Sequence, residues 1–258
     1  VIRLKNLSPG LLEMMVQVTP GVRPFESTYR YVPKDQWRPL SAEETEAISR
    51  PGSWIETIFL VAFSEELLRH FREEVFPCLF DFSQEERRRM LADLKERVLA
   101  ELAQQNFIAS DFYAHELMLN ESGNVSTSYD HAKEEFVGLH IDTHQAWEFS
   151  QRRSGFHFVG LNLGTAERYF EFIDLNAEEI LEAVQQPQLV HSMPRLTAAF
   201  LSRFPDYPVY RCLIPPGYAY LAATQFLIHD GATNTRGDLD VVFLLAAHFS
   251  QSSVGSVL

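Results

Sequence analysis

The sequence predicts an α+β fold: a β-sandwich or barrel with helices packed in front of it. Capped helical patterns fill much of the chain before about residue 106. After it come seven or so short, aromatic and β-branched segments, separated by turn signals. Strands and helices that segregate along a chain define this class, because each must bury one face against the other.

Residues 1–40 read as irregular, with scattered Pro and the aromatics Tyr29, Tyr31 and Trp37. "SAEETEAIS" then opens on Ser41 with Glu44 three residues on, the pattern of a capping box. "SEELLRHFREEVF" starts at Ser64 and places Leu67, Leu68 and Phe71 at helical spacing. The clearest helix begins at Ser83, where Glu86 completes a second capping box. Met90, Leu91, Leu94, Val98 and Leu102 form its apolar stripe.

The strand-like segments follow: "FYAHELMLN", "EEFVGLHID", "FHFVGLNLG", "RYFEFIDL", "VYRCLIPPG", "YAYLAATQFLIH" and "LDVVFLLAAHF". Turns are marked by Glu121-Ser122-Gly123-Asn124, by Pro215-Pro216-Gly217, and by residues 234–238. A helical insert, "NAEEILEAVQQ", takes Asn176 as its N-cap, and "PRLTAAFLSRF" reads as a second helix. No linker separates the parts. The organisation expected is one domain over 1–258, with a mainly helical part at 1–105 and a β core at 106–250.

With 46% hydrophobic and 12% aromatic residues the chain can bury a sizeable core. Its net charge of −13 argues against nucleic acid or an anionic membrane as partner. Arg87, Arg88 and Arg89 follow Glu85 and Glu86 in one helical run and read as a solvated face. No apolar run reaches the roughly 20 residues of a membrane span, and the first residues lack a signal peptide's apolar core. Cys78 and Cys212 belong to no CxxC pair and read as buried thiols in a reducing compartment, so a cytoplasmic protein is expected.

The chemistry concentrates in "FVGLHIDTHQ" at 136–145. In an extended chain residues i and i+2 share a side, so His140 and Asp142 project together. An imidazole and a carboxylate with one distant His make the facial triad of non-haem Fe(II). His229 is the candidate: it ends the apolar run "LAATQFLIHDG" at a Gly turn, 89 residues after His140. His144 continues the alternation. Three ligands on one straight strand spread too widely for bonds near 2 Å, so His144 reads as a substrate contact or a surface residue.

His-x-Asp, the long gap and "PPGYAYLAATQFLIHDG" resemble the Fe(II)/2-oxoglutarate-dependent oxygenases over about residues 110–250. That resemblance implies a double-stranded β-helix, a distorted jelly roll, with His140, Asp142 and His229 as iron ligands. It implies Fe(II), 2-oxoglutarate and O2 as cofactor and co-substrates. The family usually anchors the far carboxylate of 2-oxoglutarate with Arg or Lys nine or more residues after the distal His. Here those positions hold Asp238, Leu239 and Asp240. Arg236, seven residues on, and Arg168, which opens "RYFEFIDL", are the candidates for that anchor, with Asn162 as a further contact. A guanidinium meets a carboxylate with two prongs. Related halogenases lack the acid; its presence as Asp142 favours hydroxylation or desaturation.

Trp147, Phe149, Phe156, Asn162 and Tyr169 are candidate pocket or core residues. Arg152 and Arg153 are candidates for contact with an acidic substrate. A small molecule, such as an amino acid or natural-product intermediate, is the expected substrate class. Two other readings stand beside this one: a cupin-like metal enzyme without 2-oxoglutarate, and a non-catalytic β-sandwich binding module.

Overall fold

The computed structural model describes residues 2–6, 9–25, 30–50, 52–143, 147–235 and 239–251. The strands in chain order are β1 (Arg3–Lys5), β2 (Val16–Thr19), β3 (Val22–Pro24), β4 (Tyr31–Pro33), β5 (Arg38–Pro39), β6 (Thr57–Ala62), β7 (Phe107–Asn120) and β8 (Tyr129–Asp130). They continue with β9 (Glu135–Phe136), β10 (His157–Asn162), β11 (Arg168–Asn176), β12 (Val209–Ile214), β13 (Tyr218–Ala222), β14 (Leu227–Thr233) and β15 (Asp240–Gln251). The α-helices are α1 (Pro9–Met15), α2 (Ala42–Ser49), α3 (Glu65–His70), α4 (Gln84–Gln104), α5 (Ala177–Val184) and α6 (Met193–Arg203).

The helix starts follow their caps. Ser41 and Glu44 close a capping box on α2, Ser83 and Glu86 on α4, and Asn176 and Glu179 on α5. Ser64 caps α3 by accepting from the Leu67 amide. Each cap satisfies amides that the first helical turn leaves without partners. On α4 the apolar stripe buries Leu94, Val98 and Leu102, while Arg87, Arg88 and Arg89 face solvent.

Two large sheets form a mixed α+β architecture. One has six strands in the order β1-β6-β13-β10-β15-β7; the other has five, in the order β14-β11-β12-β2-β5. From β10 onward the chain crosses between them repeatedly, so apart from β11 and β12 neighbours in each sheet are not neighbours in sequence. Both faces of the six-stranded sheet are buried. Phe59, Val61, Val159 and Leu161 point to α3 and α4, while Ile58, Leu60 and Phe158 meet the five-stranded sheet. Helices α5 and α6 cover one end of the five-stranded sheet, against Ile173 and Ile228.

The first 40 residues depart from the irregular reading. They carry β1 to β5 and α1, because β1 adds parallel to β6 and β2 adds antiparallel to β12. These strands are two to four residues long, too short to show a period of two, and distant pairing fixes them. The thiols also divide: Cys212 is buried, but Cys78 is exposed beside a 3-10 turn. Among the described residues no helix is long and apolar enough to cross a membrane.

Candidate metal centre

His140 and His229 meet across a single antiparallel bridge. The His140 amide donates to the His229 carbonyl at 2.9 Å, and the His229 amide returns a bond to His140 at 2.8 Å. The segment carrying His140 thus lies beside β14 through one isolated bridge, not as the strand the sequence suggests. Gly138 makes this possible. It sits at φ +69°, and a Cβ there would come within 2.6 Å of the Tyr31 carbonyl oxygen, the same oxygen that accepts from the Leu139 amide at 2.9 Å.

The bridge brings three ligand atoms together. His140 Nε2 lies 3.2 Å from Asp142 Oδ1, and His229 Nε2 lies 3.8 Å from Asp142 Oδ2. One ligand atom from each residue falls within 4.8 Å of the others. Ligands about 2 Å from a shared ion stand roughly 3 Å apart, so small side-chain rotations close the set. Each ring has a backbone carbonyl near its other nitrogen: Gly138 O is 2.7 Å from His140 Nδ1, and Leu227 O is 3.4 Å from His229 Nδ1. A proton on His140 Nδ1 donated to Gly138 leaves Nε2 facing Asp142, to which it donates while the ring is protonated. Burial lowers the pKa of His140, but the hydrogen bond and charge of Asp142, with Asp230 and Gly138 adding, raise it to about 9. A cation held here by His140 would take the place of the Nε2 proton. Two imidazoles and a carboxylate suit Fe(II) and similar divalent transition metals.

The centre lies in a cavity of about 1520 Å³. Across it stands Arg168. The register pairs Phe172 with His229 and Arg168 with Thr233, so Arg168, Phe170 and Phe172 share the metal-facing side of β11. Phe170 stacks on His229 and on Tyr220, at 5.7 and 4.1 Å. Arg168 is 5% exposed. Its Nη1 is 3.4 Å from Asp240 Oδ2 and its Nη2 donates to Thr127 Oγ1 at 3.4 Å. Nε and Nη1 find no hydrogen-bond acceptor among the described residues. Gly231 gives the guanidinium room: a Cβ there would meet Thr127 Oγ1 at 2.3 Å and Arg168 Nη2 at 2.7 Å.

The other sequence candidates fall elsewhere. Arg152 turns inward, 5% exposed, and its Nη1 donates to the carbonyls of Asp142 and Gln225 at 2.8 and 3.0 Å. It ties the two ligand-bearing segments together. Arg153 is exposed and pairs with Glu178 in the first turn of α5. Asn162 is buried and holds a turn, donating to the Ala166 and Ile214 carbonyls and accepting from the Gly164 amide. Trp147 packs on Phe156 at 5.3 Å. Tyr169 faces away from the metal side, beside Arg211. His144 and Arg236 lie outside the described residues. Sequence reading passed over Thr127, Tyr220 and Asp240, which line or support the Arg168 end of the cavity; only the three-dimensional register brings them there.

No protein-family model matches the chain, and no curated protein matches it. Solved structures do. The Kdo hydroxylase KdoO, a non-haem Fe(II) α-ketoglutarate-dependent dioxygenase crystallised with succinate and Fe(III), is 14% identical at a TM-score of 0.46. The match covers 74% of this chain and 79% of that one. Its complex with α-ketoglutarate and Fe(III) gives 13% and 0.45 over the same shares. Acireductone dioxygenase from Bacillus anthracis, with cadmium in its active centre, is 10% identical at 0.39, over 92% and 95%. Likeness at this level leaves the site to be read from its own residues.

Proposed function

We propose that the chain is an Fe(II)- and 2-oxoglutarate-dependent oxygenase, one domain that hydroxylates or desaturates a small molecule. The observation that carries this reading is the meeting of His140, Asp142 and His229 in one cavity with the buried guanidinium of Arg168. Buried donors without acceptors are rare and costly. Nε of Arg168 is such a donor, Nη1 has only the 3.4 Å ion pair with Asp240, and a ligand carboxylate meets the guanidinium in charge and shape. The strand order supports a jelly roll: β7-β15-β10-β13 forms one layer, and the His140 edge with β14, β11 and β12 forms the other.

In this reading His140, Asp142 and His229 hold the metal on one side and leave the cavity side open. Fe(II), 2-oxoglutarate and O2 supply the oxidising power to break an unactivated C–H bond. Arg168 fixes the far carboxylate of the co-substrate, and Asp240 fixes Arg168. Tyr220 walls the space between, backed by Phe170, and keeps water from the reacting end. Asp142, as an acid, fills the third protein position.

The test is an anaerobic titration of the Fe(II) protein with 2-oxoglutarate, followed by succinate release in air. A new visible absorption band, lost in R168Q and absent from H229A, is expected. A protein that binds no Fe(II), or whose metal content is unchanged in H140A and H229A, rules the reading out. The ion pair of Arg168 with Asp240 favours a second reading, a cupin-like metal enzyme without co-substrate. Iron binding with no spectral response to 2-oxoglutarate selects it.

A further inference from the structure

A second cavity, of about 410 Å³, lies on the opposite face of the five-stranded sheet. Alternation along β11 places Tyr169 and Glu171 there, away from the metal. The register puts Arg211 of β12 beside Glu171, and Gln17 of β2 beside Arg211. Arg211 is held rigidly. Trp37 and Tyr169 lie over it, at 4.2 and 4.3 Å, and its Nε donates to Gln17 at 2.8 Å. Arg23 and Asp35 stand exposed at the rim.

Glu171 makes this more than a crevice. It is 3% exposed, lines the cavity, and its Oε2 has no hydrogen-bond partner among the described residues. Burial, with the nearby charge of Asp230 adding and Arg211 opposing, holds its pKa well above the usual carboxylate range. Alone, such an acid keeps its proton; a cationic donor entering the cavity would favour its ionised form and satisfy the unpartnered oxygen. The volume suits a small metabolite. Its lining combines the acids Glu171, Glu167 and Asp35, the guanidinium groups of Arg23 and Arg211, and the rings of Trp37 and Tyr169.

We propose that this cavity binds a small zwitterion of the α-amino-acid class, its ammonium on Glu171 and its carboxylate between Arg23 and Arg211. Strands β11 and β14 lie between this site and the metal centre, and Asn124 lines both cavities. It does not depend on the oxygenase reading.

The experiment is a melting-temperature screen of the full, metal-free chain with each proteinogenic L-amino acid at about 10 mM, a concentration at which mass action reveals weak binders. At least one is expected to raise the melting temperature by several degrees. The rise should persist in H229A and vanish in E171Q, and R23A should weaken binding roughly tenfold or more. Arg23 is exposed, so R23A carries the test if E171Q fails to fold. No rise with any amino acid overturns the proposal, and so does a rise that R23A leaves unchanged. A rise lost in H229A but kept in E171Q also overturns it, and assigns the ligand to the metal cavity.

Discussion

Gly231 shows how much one absent methyl decides. It follows His229 by two residues, and its missing Cβ is where Thr127 and Arg168 reach over β14. Gly231→Ala is expected to push the guanidinium aside and leave the metal ligands in place. Titration should show Fe(II) binding kept and 2-oxoglutarate affinity reduced roughly tenfold or more, the loss expected when a two-pronged contact is broken. Equal losses of both would place Arg168 outside the co-substrate site. His157 carries a different residue-scale consequence. It is buried against Trp54, and burial pushes its pKa down to about 4, opposed in part by the Trp54 backbone. Unfolded, the same ring titrates near 6.5. The unfolded chain therefore takes up a proton that the native chain refuses. This contribution to stability is complete above about pH 6.5 and is lost as pH falls toward 4, at most about 3 kcal/mol. His157→Phe should flatten that part of the stability profile in urea melts at successive pH values; an unchanged slope refutes the assignment.

At the scale of elements, the strongest device is the clamp of Arg152. Its short 3-10 segment, Phe149–Ser154, is too brief to be stable alone, yet it delivers one buried guanidinium onto two carbonyls. Arg152→Gln should leave at least one carbonyl unpaired and cost about 1–3 kcal/mol. The informative readout is the metal: Fe(II) affinity should fall about 10–100-fold, as when outer-shell partners of ligands are lost. If R152Q melts earlier but binds iron as tightly, the clamp serves the fold alone. From sequence Arg152 reads as a contact for an acidic substrate, since only the packed structure reveals that the Asp142 and Gln225 carbonyls converge on it. Helices were more legible. Ser41, Ser64, Ser83 and Asn176 each declare a start through bonds made within four residues. The short strands near the N-terminus were illegible because their partners lie far away, as Arg3 pairs with Thr57 and Val16 with Cys212.

For the whole molecule the central fact is non-local. His140 and His229 come from segments 89 residues apart, and the intervening chain crosses between the sheets several times before returning. That His140, Asp142 and His229 come together could be read from residue type and strand ends; that Arg168 faces the same cavity could not, because it depends on the register of β11 with β14. A metal bound by both segments binds the native chain and not the unfolded one. It must raise stability by RT ln(1 + [metal]/Kd), about 2.7 kcal/mol at a hundredfold excess over Kd. Without metal, His140 and Asp142 hold each other as an ion pair, because the raised pKa keeps the ring protonated below about 9. Metal entry must therefore expel a proton, and affinity should rise with pH through that range. Co(II) or Mn(II), which avoid oxidation, are expected to raise the melting temperature more at pH 8.5 than at pH 6.5. The rise should disappear in H140A and H229A, and a rise independent of pH, or one that survives either substitution, would show that the two segments do not share an ion.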